Sequence, residues 1–242
     1  MPAQPAEAGI YRVSLAWSNV YVLTDGVTAA LVDTGLQKDR PRLLEALQKL
    51  GLEASQVRQV LLTHGHTDHA GNAAFFAKLG AEIIAHPREA PFIAPPFRPY
   101  APAGLQRLRH PFTSLSFLVG ERLFPVERHP VARLVQQNET VETPVGDLKV
   151  IETPGHSPGH ISFLRESDGT LFSGDAILNI IPIRLKPELS LPMRIFSSDW
   201  EQAKTSARTL AETRPRQMFS GHGNPLTENA AERLLAWANR LR

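Results

Sequence analysis

The apolar positions of this chain fall mostly into short alternating runs and only in places into helical stripes. Residues 10–16, 20–24 and 29–33 alternate apolar and polar side chains and predict short antiparallel strands, with Asp25-Gly26 as a hairpin turn. Residues 39–50 change period. Leu43, Leu44, Leu47 and Leu50 share one helical face, Pro41 is tolerated in the first turn, and Gly51 ends the helix. A compact apolar strand over 57–62 runs directly into Thr63-His64-Gly65-His66. A helix over about 69–79, stopped by Gly80, and a strand over 82–85 follow.

Residues 87–130 break this rhythm, because nine of the 20 prolines lie there. Proline removes a backbone donor and fixes φ, so that density excludes long helices and central strands. The expectation is an inserted segment of loops and short helical turns, read either as a lid over the site or as surface decoration. The alternating pattern then resumes over 132–136, 140–143, 148–153, 161–165 and 170–173, with turns at Gly146-Asp147 and Asp168-Gly169. A helix from 199 to about 213 is expected to open on a capping box between Ser198 and Glu201. A strand over 217–220 and a helix over 226–241 finish the chain. Strands followed by helices, twice over, predict two sheets packed face to face with helices outside.

Composition narrows the chemistry. A length of 242 residues suits one domain carrying an insert, and 42% hydrophobic with 21% charged residues is an ordinary globular balance. The net charge is only +2, with no dense Lys/Arg block, so a nucleic-acid partner is not expected. One local cluster, Arg98, Arg107, Arg109, Arg122, Arg128 and Arg133 against Glu121 and Glu127, reads as a solvated face or as a lid favouring an anionic substrate. No apolar run approaches the roughly 18 residues of a membrane span, and the N-terminus lacks a signal-like basic and apolar pattern. A cytoplasmic location and no membrane partner are therefore expected. There are no cysteines, so thiolate zinc sites, iron–sulfur clusters and disulfides are excluded, and any metal must bind nitrogen and oxygen.

Six of the nine histidines sit in three short motifs. In His64-Gly65-His66-Thr67-Asp68-His69, residues two apart in extended chain point the same way, so His64 and His66 can converge on one ion. Asp68 and His69, a turn later, can aim at a second ion beside it, and Gly65 and Gly71 permit tight backbone approach. The second motif, Thr153-Pro154-Gly155-His156-Ser157-Pro158-Gly159-His160, presents His156 from a sharp turn. Ser173-Gly174-Asp175 and Ser220-Gly221-His222-Gly223 each put one further donor where a strand becomes a loop. His160 reads as a hydrogen-bonding group beside the site, His86 as structural, and His110 and His129 as exposed.

In that order, His64, His66, Asp68, His69, His156, Asp175 and His222 reproduce the signature of the metallo-β-lactamase superfamily. The chain resembles that family from about residue 10 to 225, and residues 153–160 and 173–175 look like its glyoxalase II and acyl-homoserine-lactonase branches. The resemblance implies an α+β fold, an αββα four-layer sandwich of two mixed β-sheets flanked by helices, with metals at one edge. It also implies that His64, His66 and His156 bind a first metal, that Asp68, His69 and His222 bind a second, and that Asp175 bridges them. Asp33 matches an acid that the family places close to the cluster. Asn72 stands where many members have glycine, a departure expected to matter little for metal binding.

The residue chemistry agrees. Imidazoles and carboxylates without thiolates suit two divalent ions, Zn²⁺ first, with Mn²⁺ or Fe²⁺ as alternatives. Two ions roughly 3.5–4 Å apart can share a water, bring its pKa towards about 7 and polarise a carbonyl. Asp68 is the candidate catalytic residue, carrying a proton as the intermediate collapses. The expected substrate is a small ester, thioester or lactone, anionic or acyl-bearing. Glyoxalase II usually has a further helical domain after its last histidine, and only 20 residues follow His222 here. Its Gly-Cys-Gly-Arg-like run after the bridging Asp is also missing, replaced by an apolar and basic loop over 176–191 containing Arg184 and Lys186. Phe92, Phe97, Phe112 and Phe117 would suit an acyl chain if the lid folds over the site. The alternatives are a mononuclear-iron persulfide dioxygenase and a nuclease of the same superfamily. Nothing in the chain fixes an oligomeric state.

Overall fold

A computed structural model describes residues 4–7, 9–95 and 126–241. The first sheet holds seven strands in sequential order: β1 (Gln4–Glu7), β2 (Ile10–Ser14), β3 (Asn19–Thr24), β4 (Ala29–Val32), β5 (Val57–Leu61), β6 (Glu82–Ala85) and β7 (Arg133–Leu134). β1 to β4 pair antiparallel, and β4 to β7 pair parallel. The second sheet runs β12 (Gln217–Ser220), β11 (Thr170–Gly174), β10 (Ile161–Arg165), β9 (Leu148–Glu152) and β8 (Thr140–Val141). Only its β11–β12 pair is parallel.

The two-residue period of each strand builds three apolar layers. Along β3, Val20 and Val22 face α1 (Arg40–Lys49) and the short helices behind the first sheet, whereas Tyr21 and Leu23 face the second sheet. Between the sheets, Ile10, Leu61 and Ile84 meet Val150, Ile161, Phe163, Phe172 and Phe219. Fully burying side chains of this size contributes roughly 1.5–3 kcal/mol each. Behind the second sheet, Leu171 and Met218 pack on Ala207 and Leu210 of a helix over Trp200–Glu212 and on Leu234 of another over Ala230–Ala238. The result is the αββα sandwich of two mixed sheets expected from the sequence.

Local detail departs from the sequence pattern in three places. The helix expected over 69–79 is two: α2 (Thr67–Ala70) and α3 (Ala73–Lys78). Between them, Asn72 is fully buried and sends its amide to the carbonyls of Thr34 and Leu36. α4 (Ala90–Ile93), a single turn inside the Pro-rich segment, is one of the short helical turns expected there. α5 (Trp200–Glu212) is capped by Asp199, whose carboxylate accepts the Gln202 N–H at 3.0 Å, while the Ser198 hydroxyl donates to Gly155 O instead. α6 (Ala230–Ala238) begins later than residue 226, because Leu226 is bridged to Met218 at the sheet edge. Most of the expected lid, residues 96–125 with Phe97, Phe112 and Phe117 and most of its arginines, lies outside the described residues. Among those described, no helix is long and apolar enough to cross a membrane.

Candidate metal centre

Each donor singled out in the sequence follows the carboxyl end of a strand, and all on the same edge of the sandwich. His64 and His66 follow β5, and Asp68 and His69 sit in α2. His156 lies in the turn between β9 and β10, Asp175 follows β11, and His222 follows β12. Hydrogen bonds between the two sheets close this edge: Ile161 N donates to Thr63 O at 2.9 Å, Asn19 N to Gly221 O at 2.7 Å, and the Tyr21 hydroxyl to Ser220 O at 2.9 Å.

The structure brings all seven side chains together. Donor atoms of His64, His66 and His156 lie within 4.8 Å of one another, as do those of Asp68, His69 and His222. In the first group, His66 Nδ1 is 2.9 Å from both His64 Nε2 and His156 Nε2. In the second, His222 Nε2 is 3.3 Å from His69 Nε2 and 3.5 Å from Asp68 Oδ2. Asp175 lies between the groups, with Oδ2 at 3.4 Å from His156 Nε2 and 3.2 Å from His222 Nε2, and Oδ1 at 3.5 Å from His69 Nε2.

Outer hydrogen bonds fix which ring nitrogens keep a lone pair for a metal. The Thr63 hydroxyl gives its proton to Asp33 Oδ2 at 2.9 Å, so it accepts from His64 Nδ1 at 3.0 Å and leaves His64 Nε2 as the donor. Asp33 Oδ2 likewise takes the Nδ1–H of His69 at 2.8 Å. The Trp17 carbonyl takes that of His222. Asp33 reaches this position with a left-handed backbone, φ 60°, a conformation that Asp tolerates better than most residues. His160 Nε2 accepts the Asp175 N–H at 2.9 Å, and its Nδ1 pairs with Thr153 Oγ1 at 2.7 Å. It thus supports Asp175, in the kind of role expected of it. His86 is structural, as expected, with Nε2 at 3.2 Å from Glu152 Oε1.

Electrostatics separate the two groups. Burial, reinforced by the neighbouring His69, pushes His66 down to about 3, and burial with His66 does the same to His156. These rings are neutral at pH 7 and free to donate lone pairs. Burial also opposes a proton on His69, but Asp175, Asp68 and Asp33 outweigh it and raise the group to about 10. Three carboxylates crowded around two imidazoles form a pocket that favours a cation. Asp175 Oδ1 is buried and has no hydrogen-bond partner among the described residues, as is His156 Nδ1. An orphan carboxylate oxygen of this kind is costly unless a cation compensates it. Nitrogen and oxygen donors, fixed lone pairs and excess buried negative charge together fit divalent ions.

Sequence reasoning missed Glu89. It is fully buried at the start of α4 and hydrogen-bonds both histidine-bearing loops. The glycines inside those loops were the available signal. A Cβ at Gly65 would come within 2.9 Å of Phe92 Cβ, and one at Gly159 within 2.6 Å of His86 Nδ1.

A family model described as the metallo-beta-lactamase superfamily matches residues 18–222. The chain is 31% identical to the probable metallo-hydrolase YflN of Bacillus subtilis, over 98% of this chain and 92% of that protein. It is 27% identical to the hydroxyacylglutathione hydrolase GloC of Haemophilus influenzae, over 72% of this chain and 69% of that one. Among solved structures, the metallo-beta-lactamase family protein TTHA1429 of Thermus thermophilus superposes with a TM-score of 0.68 at 29% identity, covering 97% of this chain and 81% of that one.

Proposed function

The chain belongs to the metallo-beta-lactamase superfamily, and on that footing we propose a dinuclear metal-dependent hydrolase acting on a small ester, thioester or lactone. His64, His66 and His156 would hold one ion and Asp68, His69 and His222 the other, with Asp175 available to both. The position of Asp175, within 3.5 Å of nitrogens from both groups, is the observation that carries this reading. When bound, two divalent ions supply an acidified water and polarise the scissile carbonyl. Zn²⁺ suits the donor set, with Mn²⁺ or Fe²⁺ as alternatives.

The chain's own groups do the remaining work. Asp33 and Thr63 hold His69 and His64 in the tautomers that aim Nε2 inward. Asp68 has a carboxylate 24% exposed and 3.5 Å from His222 Nε2. In this reading it would accept a proton from the attacking water and return it to the leaving oxygen or sulfur. The loop after Asp175 folds back as a hairpin, its base tied to the site by Asn179 N donating to His222 O at 3.3 Å. Ile183 and Leu185 at its tip are 79% and 76% exposed beside Arg184. That pairing of apolar surface with a cation suits an acyl substrate bearing an anionic group. The name of the Haemophilus relative denotes a hydrolase of hydroxyacylglutathione, which supports an acylated thiol as the first candidate.

A panel of thioesters, lactones, phosphodiesters and β-lactams tests the proposal. Thioester or lactone turnover that is lost on chelation and restored by added Zn²⁺ is expected. Activity confined to phosphodiesters would overturn the substrate class. Stoichiometric oxygen consumption with a single bound iron would overturn the hydrolase.

A further inference from the structure

We infer that Glu89 is a positioning residue for the first metal group, through which the segment over 86–93 sets the spacing of His64 and His66 from His156. The inference rests on the metal-binding reading above. His64 and His66 come from the loop after β5, and His156 comes from the turn between β9 and β10. These loops are about 90 residues apart in sequence and lie on different sheets. Their side chains nevertheless approach to 2.9 Å, so something must hold the two backbones in register.

Glu89 does so with both carboxylate oxygens. Oε2 accepts the backbone N–H of Gly65, the residue between His64 and His66, at 2.8 Å. Oε1 accepts the Ser157 hydroxyl at 2.8 Å and the Gly159 N–H at 2.7 Å, on the loop that carries His156. The carboxylate therefore joins the two loops through Gly65 and Ser157, each adjacent to a metal-binding position, and through Gly159, three residues beyond His156. Two further features fasten the same segment to the second motif. His86 pairs with Glu152 Oε1, immediately before Thr153, and both Gly65 and Gly159 leave just the room that this segment fills. The second metal group is held by other means. Asp33 orients His69, and the Trp17 carbonyl orients His222.

This arrangement makes a selective prediction. Glu89→Gln keeps the shape but puts an amide donor against one set of backbone donors, whereas Glu89→Ala removes all three hydrogen bonds. Hydrogen-bonding partners of this outer kind typically change metal affinity about 10–100-fold. Full-length wild-type and variant chains are stripped of metal and titrated with Zn²⁺ against a competing chelator, and with Co²⁺ followed by absorption. Wild type should take up two ions. In Glu89→Gln one of the two should weaken about 10–100-fold with an altered Co²⁺ spectrum, while the other stays within about threefold. Melting of the metal-free chains is measured alongside. If Glu89→Ala does not fold, Ser157→Ala removes one of the three hydrogen bonds and is expected to show the same selectivity with a smaller loss.

Wild type binding two ions with the Glu89 variants unchanged, or both ions weakening equally in step with metal-free melting, would overturn the positioning role alone. Wild type taking up no metal would overturn the site reading, and this inference with it.

Discussion

The two ends of the second sheet each carry an aspartate, and they use it in opposite ways. At the turn between β10 and β11, Asp168 is paired by Arg165 at 3.0 and 2.6 Å and by Thr170 N and Oγ1 at 3.1 and 2.8 Å. Every one of those partners lies within three residues of it. About five residues along β11, at the other end, Asp175 is buried to 4% exposure and one of its oxygens has no hydrogen-bond partner among the described residues. Asp33 and Glu89, which bond the loops of the same cluster, accept hydrogen bonds from residues 24 to 70 positions away. A carboxylate satisfied locally closes a turn. Carboxylates satisfied across the whole chain, with one oxygen in excess, build a place for a cation.

Substitutions at the two ends should therefore separate activity from stability. The largest effect is expected at the center of the cluster. His66→Ala or Asp175→Ala should lower metal-dependent hydrolysis by roughly 10³-fold or more while the far end stays intact. Asp33→Asn should follow, with a fall of about 10–100-fold in metal affinity, because the carboxylate that fixes the His69 tautomer and takes the Thr63 proton behind His64 is gone. Chelation comes next. An ion present at 100 times its Kd adds about 2.7 kcal/mol, so removing it should lower Tm by roughly 5–10 °C, and returning Zn²⁺ should reverse the change. Tyr21→Phe, which deletes the hydroxyl bound to Ser220 O across the sheets, should cost about 1 kcal/mol, or roughly 2–4 °C.

The smallest effect is expected from Asp168→Asn. Burial raises the Asp168 carboxyl, but its bonds to Arg165 and Thr170 prevail and hold it down at about 2. A depressed folded value contributes stability that is present above the ordinary carboxylate range and lost as pH falls towards 2. The variant should therefore melt lower than wild type near pH 6, by at most about 1 kcal/mol given solvent screening, and match it near pH 2. Metal content should not change. A loss of bound metal in Asp168→Asn would erase the contrast between the two ends.

The same contrast explains what could be read from sequence. Strand positions followed from two-residue alternation, because each buried face is written locally, as in Val20 and Val22 against Tyr21 and Leu23. The seven donors stood out because they cluster at strand ends with glycines beside them. Asp33 was visible only through family likeness, since its partners Thr63 and His69 are 30 and 36 residues away. Glu89 carried no mark of its own, and only the glycines of the loops that it joins hinted at a close neighbour. It lies in a segment whose prolines mark irregular structure, and its role depends on two loops that only the packed sheets bring together. The break between α2 and α3 was hidden for a similar reason. Asn72 reads as an ordinary helical residue until its amide meets the loop over 34–36.

Anomalous diffraction at the zinc edge, from crystals of the Zn²⁺-loaded protein, tests the central claim most directly. The account predicts two peaks roughly 3.5–4 Å apart, one among His64 Nε2, His66 Nδ1 and His156 Nε2, the other among Asp68, His69 Nε2 and His222 Nε2, with Asp175 touching both. A single peak, or peaks away from these side chains, would contradict it.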